Sequence, residues 1–194
     1  MRHGEPVAAA RGRVVGKLDV GLSDAGRAQV KRATASLRGR GITSVYSSPR
    51  RRAHESAALV AEAIGTPLSC DVRLAEIDFG ELEGKTYDDV RRAHPELYAR
   101  WMQHPTTVRF PGGEGYAQLR ARVLTCISRL RQQHVGETIL VVAHGGVIRC
   151  VLAAVLGLPS EHIFRLDQSY GGISRVDYYD EDTPVVRLMN RAPV

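Results

Sequence analysis

An arginine, a histidine and a glycine stand side by side at Arg2-His3-Gly4, and far down the chain a second histidine is followed by two glycines at His144-Gly145-Gly146. A cation beside an imidazole, next to a residue with no side chain, lets an anionic group approach the ring nitrogen closely while its charge is held. Arg52 lies between the two histidines, just after Ser47-Ser48-Pro49. Two histidines and two arginines brought together suit a tetrahedral dianion such as a phosphoryl group, because arginine's planar fork binds phosphate oxygens in pairs and helix N-termini add backbone N–H donors. Nothing matches the G-x-x-x-x-G-K-[ST] phosphate loop, so side chains are expected to hold the phosphate. In such a site a neutral imidazole is the natural nucleophile: it attacks phosphorus and forms a phosphohistidine that water later hydrolyses. The leaving alkoxide then needs a proton. Glu76, in an irregular segment with Ile77 and Phe79, supplies it if burial and nearby Asp78 or Glu81 raise its pKa.

These residues are useful only if the fold brings them together. Ser23 is a plausible N-cap for a helix from Asp24 to about Arg38, stopped by Gly39 and Gly41. Ile42 to Ser47 reads as a strand, and a helix follows from about Arg50 to Ile64, with a short strand near Leu68 to Cys70. Helices are expected over Tyr87 to Arg92 and Glu96 to Met102, and a longer amphipathic one over Tyr116 to Gln133, where Tyr116, Leu119, Val123, Ile127 and Leu130 recur at spacings of three and four. The unbroken apolar run Thr138 to Ala143 is the signature of a strand buried on both faces of a largely parallel sheet. An apolar helix from Val147 to Leu156 follows, and the last strands, Ile173 to Tyr179 and Val185 to Asn190, join through the acidic turn Asp180-Glu181-Asp182. The alternation predicts an α/β fold, a three-layer α/β/α sandwich around a mostly parallel central sheet. Ligands collect at the C-terminal ends of strands in such folds. Arg52 and His144 both fall just past a predicted strand, and Arg2-His3 does so only if a strand precedes it.

Composition narrows the function classes. A chain of 194 residues suits one domain that buries roughly 70% of its unfolded surface, so residues 1–194 are read as a single domain with a small capping segment at about 84–115. No run approaches the roughly 18 apolar residues of a membrane span and no secretory leader is evident, which makes a cytoplasmic protein without a membrane partner the expectation. Three cysteines, Cys70, Cys126 and Cys150, form no C-x-x-C pair, and the seven histidines include no H-E-x-x-H. No metal and no cofactor are expected. The net charge of +6 is spread along the chain, and its densest cluster, Arg50-Arg51-Arg52, carries no interleaved aromatics. That points away from nucleic acid and toward a small anionic substrate in a locally positive cleft.

Four segments together carry a resemblance. Arg2-His3-Gly4-Glu5, Ser47-Ser48-Pro49 with Arg52-Ala53, Leu74-Ala75-Glu76 with Phe79-Gly80 and Glu83-Gly84, and His144-Gly145-Gly146-Val147-Ile148-Arg149 resemble, in order and over nearly the whole chain, the histidine phosphatase superfamily, also called phosphoglycerate mutase-like. The resemblance implies that His3 is the phosphorylated nucleophile, that Arg2, Arg52 and His144 hold the phosphoryl group with the backbone N–H of Gly145, and that Glu76 is the proton donor. It implies a phosphomonoesterase acting on a small phosphorylated metabolite. A phosphoglycerate mutase-type phosphoryl transfer and a non-catalytic phospho-ligand-binding protein are the alternatives, and a homodimer is left open.

This chain also departs from the pattern. Relatives carry several apolar residues before Arg-His-Gly as a first central strand, and here only Met1 precedes it, so either the chain starts inside the natural protein or that strand is lost, which would undermine the placement of His3. Ala9 stands where many relatives have a phosphate-contacting asparagine. His144-Gly145-Gly146, in place of the mutase branch's His-Gly-Asn, and the compact cap favour hydrolysis. Within the phosphatases, Pro111-Gly112-Gly113-Glu114 and Leu156-Gly157-Leu158-Pro159 are most similar to α-ribazole phosphatases, although Gly115 replaces the usual serine.

Overall fold

Five strands and six α-helices form as the sequence pattern predicts, in a computed structural model that describes residues 1–179 and 183–192. The strands are β1 (Ile42–Ser47), β2 (Leu68–Cys70), β3 (Thr138–Val142), β4 (Ile173–Tyr178) and β5 (Pro184–Arg191). The helices are α1 (Asp24–Leu37), α2 (Arg51–Ile64), α3 (Tyr87–Ala93), α4 (Pro95–Gln103), α5 (Tyr116–Gln133) and α6 (Gly145–Val155). The expected acidic turn at Asp180-Glu181-Asp182 lies outside the described residues. Ser23 caps α1 as anticipated, its hydroxyl accepting from the Gly26 N–H at 3.0 Å.

The central sheet runs β2-β1-β3 and is wholly parallel, with Val45 opposite both Leu68 and Leu140. Side chains alternate across it. Val45, Leu140 and Val142 pack with Val30 and Leu37 of α1 and Ala57 and Val60 of α2. Tyr46, Ile139 and Val141 face the other way, onto Leu119, Val123 and Leu130 of α5 and Val147 and Cys150 of α6. Helices therefore cover both faces, which is why β3 needs an unbroken apolar run, and each fully buried Val or Leu contributes about 1.5–3 kcal/mol. A third apolar cluster joins Val14, Leu82, Val90, Trp101, Val108 and Phe110 beyond the end of the sheet. β4 and β5 pair antiparallel with each other.

The short run ahead of His3 does not leave it loose. Arg2 bridges Ala143 in parallel; the His3 N–H donates to the Ala143 carbonyl at 3.0 Å, and the Ala143 N–H donates to the Met1 carbonyl at 3.0 Å. On the opposite edge the Arg2 N–H donates to Gly172 at 2.9 Å and the Gly171 N–H to the His3 carbonyl at 3.1 Å. Backbone pairing on both sides fixes the tripeptide. Gly4 is required next, since a Cβ there would come within 2.4 Å of the Gly26 carbonyl in the first turn of α1.

Candidate active site

His3 follows the bridged N-terminal segment, Ser48 follows β1 and His144 follows β3, so two strand ends and that bridge deliver them to one edge of the sheet. The two imidazoles stand edge to face with centroids 5.1 Å apart, and both are buried, at 4% and 0% exposure. Burial first, then the charges of Arg52 and Arg2, holds His3 well below the usual histidine range, and His144 is lowered by burial, Arg52, His3, Arg2 and Arg50. Both rings are thus neutral near pH 7. The His3 Nδ1 lies 2.7 Å from the Gly4 carbonyl, and a carbonyl only accepts, so Nδ1 carries the proton. The Nε2 lone pair is left facing the Arg52 Nε at 3.3 Å. A neutral ring with its lone pair aimed among cations is the form that attacks phosphorus. The Nε2 of His144 lies 2.8 Å from the Ser48 hydroxyl, while its Nδ1 is buried without a partner.

Arg52 is in the first turn of α2, and its Nη atoms donate to the carbonyls of Leu18 at 3.0 Å and Gly16 at 2.8 Å. Those carbonyls belong to a loop whose Gly16, Lys17 and Leu18 N–H groups all donate to the Glu83 carboxylate, at 2.7–3.1 Å. Glu83 therefore holds the loop that holds Arg52. Arg2 donates from Nη1 to the Gln168 carbonyl and lies 3.9 Å over the Tyr170 ring, which itself stands 5.6 Å from His3. Gly145 opens α6, so the positive end of a helix of 11 residues also meets this edge.

Glu76 is half-buried, with Oε2 accepting from the Gly146 N–H at 3.0 Å and Oε1 from the Ile77 N–H at 3.0 Å. A Cβ at Gly146 would approach Oε1 to 2.3 Å, so the second glycine after His144 is what admits the carboxylate. Its charge reaches Arg52 and Arg149. Asp78, expected to act on Glu76, is turned away to the Gly80 N–H at 2.8 Å and Lys17 at 3.3 Å. The segment that carries Glu76 is instead governed from α5. Arg122 donates to the carbonyls of Arg73, Ala75 and Glu76 at 2.7–3.1 Å and makes a two-pronged pair with Glu114 at 2.8 and 2.7 Å. Glu114 also accepts from the Asp78 N–H at 3.1 Å.

The structure thus gathers Arg2, His3, Arg52, His144 and Gly145, with Glu76 at the rim. Sequence reasoning gave no role to Ser48, Arg50, Tyr170 or the Arg122–Glu114 pair; Glu114 and Ser48 were quoted only as parts of motifs, and nothing in the sequence ties Arg122 to residues 73–76. Ala9 is exposed, in a short 3₁₀ turn at Ala8–Ala10. Among the described residues no group of three or more His, Cys, Asp or Glu gathers to hold a metal, and no helix is long and apolar enough to cross a membrane.

The family model of the histidine phosphatase superfamily (branch 1) matches residues 1–191. The chain belongs to that superfamily. Its sequence is 34% identical over 192 residues to the bifunctional protein Rv2228c of Mycobacterium tuberculosis, covering 98% of this chain and 52% of that protein, so the chain spans about half the length of the first curated relatives it matches. YhfR of Bacillus stearothermophilus superposes with a TM-score of 0.91 at 29% identity, covering 96% of this chain and 93% of that one. The α-ribazole phosphatase of Shigella flexneri superposes at 0.87 with 27% identity, covering 98% and 94%. The three-layer α/β/α arrangement is the phosphoglycerate mutase-like fold of these neighbours.

Proposed function

We propose that the chain is a phosphomonoesterase that hydrolyses a small phosphorylated metabolite through a phosphohistidine at His3. The observation that carries this reading is the buried, neutral His3, whose Nδ1–H is committed to Gly4 and whose Nε2 faces cations. The phosphoryl group sits against His3 and His144, its charge met by Arg2, Arg52 and the Gly145 N–H. The His3 Nε2 attacks phosphorus, the ester P–O bond breaks, and protonated Glu76 gives its proton to the leaving alkoxide. Water then attacks phospho-His3, its proton passes to the Glu76 carboxylate, and phosphate leaves with the imidazole and the acid both restored.

The similarity to an α-ribazole phosphatase supports α-ribazole 5'-phosphate as the first substrate to try. Phosphate release from a panel of phosphorylated metabolites, including α-ribazole 5'-phosphate and phosphoglycerates, tests the substrate. p-Nitrophenyl phosphate with a His3→Ala control tests the reaction. Transfer between phosphoglycerates exceeding net release would replace hydrolysis with a mutase. No release above the control across a broad pH range would leave a protein that binds phosphorylated ligands without turning them over.

A further inference from the structure

Buried hydrogen-bonding nitrogens without partners are rare in folded proteins and call for a physical reason. Three of them are the His144 Nδ1 and the Nε atoms of Arg2 and Arg50, two arginines whose charges both reach His144. The first two belong to residues already placed at the phosphoryl site. Arg50 does not.

Arg50 caps α2, and its backbone N–H donates at 3.2 Å to the Ser48 hydroxyl, the same hydroxyl that meets the His144 Nε2. Its guanidinium makes no hydrogen bond or ion pair among the described residues, whereas its neighbour Arg51 is paired with Glu55 at 2.7 Å. Arg50 stands close enough to His144 and Arg52 for its charge to disfavour theirs. A half-buried cation beside two other cationic or imidazole groups, with no carboxylate of its own, costs stability unless an anion completes it.

Counting donors shows why one is needed. A guanidinium has five N–H groups. Arg52 directs Nε at His3, Nη1 at Leu18, and Nη2 at both Gly16 and Val15. At most one N–H of its fork is left over, so Arg52 cannot grip two phosphate oxygens as it stands. Arg2 has one Nη committed to Gln168. The donors that remain uncommitted are those of Arg2, His144 and Arg50, with one N–H of Arg52.

We propose that Arg50 is a third guanidinium of the phosphoryl-binding site, beside Arg2 and Arg52, and donates directly to the oxygens of the substrate's phosphate. This rests on the reading of the cleft as a phosphoryl site. Binding of inorganic phosphate and orthovanadate to the chain, followed by calorimetry, tests it independently of turnover. Arg50→Gln should raise the phosphate dissociation constant about 10–100-fold, the loss expected for one or two charge-assisted hydrogen bonds, and Arg50→Lys should recover part of it. Arg51→Gln should bind as the parent chain does. Because the Arg50 side chain makes no hydrogen bond or ion pair among the described residues, the thermal midpoint of Arg50→Gln without phosphate should not fall. If Arg50→Gln binds phosphate and vanadate as tightly as a parent chain that does bind them, the role of Arg50 is refuted and the phosphatase reading stands. If the parent chain neither binds phosphate nor releases it from any ester, the phosphoryl-site reading fails and Arg50 fails with it.

Discussion

The two sides of the cleft are built on opposite plans. On the cradle side, around His3, His144, Arg2 and Arg50, buried nitrogens lack partners and like charges crowd together. On the other side, around Glu76, Arg122 and Glu114, both Glu76 oxygens have N–H donors, and Arg122 spends its fork on three carbonyls and a carboxylate. Under the proposed function one side is finished by a ligand, and the other is finished without one. The contrast separates the group that must be charge-matched by substrate from the group that must be held in place before substrate comes.

The strongest test of the contrast is removal of the nucleophile. His3→Ala should lower turnover of every ester by at least about 10⁴-fold, read as steady-state phosphate release, and retention of activity on any ester would move the nucleophile elsewhere. Glu76→Gln should slow esters with poor leaving groups by about 10²–10⁴-fold and p-nitrophenyl phosphate much less, because nitrophenolate leaves without a proton. Equal losses on both would make Glu76 a binding or folding residue.

Breaking the clamp should do less. In Arg122→Met the Glu114 carboxylate loses its partner, a cost of about 2 kcal/mol, which for a chain of this size lowers the thermal midpoint by roughly 4–8 °C. If the clamp positions Glu76, the activity that survives at low temperature should again be depressed selectively on poor leaving groups. A uniform loss would show that the pair only stabilises.

The histidines give a pH test with a defined sign. Their folded pKa values lie well below the usual 6.5, so in acid the unfolded chain binds protons that the folded chain does not. Stability is full above about pH 6.5 and declines below it, by up to about 1.4 kcal/mol per pH unit for each ring. His144→Gln should flatten the acid side of a plot of thermal midpoint against pH; an unchanged slope would place the acid sensitivity elsewhere. The smallest expected effect is that of EDTA, which should leave turnover unchanged, since imidazole and guanidinium groups are proposed to do all of the charge work. Strong inhibition reversed by a divalent ion would dispose of the phosphohistidine mechanism as drawn.

How much of this was legible in the sequence divides along the same line. Strands and helices were readable because β3 is one apolar run and α5 repeats at helical spacing, signals that burial on a sheet face imposes directly. Helix α6 begins two residues earlier than its apolar pattern indicates, because Gly145 and Gly146 have no side chains to show periodicity. The placement of Arg52 and His144 at one sheet edge is readable because both follow strand ends, whereas nothing in the sequence marks Arg50. The clamp was not, since Arg122 sits on α5 among other surface-spaced arginines, and its targets are backbone carbonyls, which leave no mark on residue type. Of the two acids expected to act on Glu76, Asp78 or Glu81, Asp78 turns to Gly80 and Lys17 instead; direction in an irregular segment is set by tertiary bonds. The doubt about His3 came from looking for an apolar strand, whereas the tripeptide is held by main-chain pairing that any sequence can make.

That pairing sets an order of events during synthesis. Met1 to His3 bond to Val141 and Ala143 on one side and to Gly171 and Gly172 on the other. His3 is made well over a hundred residues before Ala143, Gly171 and Gly172, so its seat does not exist until those later segments have emerged from the ribosome. Folding must close loops of well over a hundred residues to form it, which favours slow assembly. Phosphate binding at His3 is therefore a readout of complete folding, and a nascent chain stalled before residue 170 should have helices and no site.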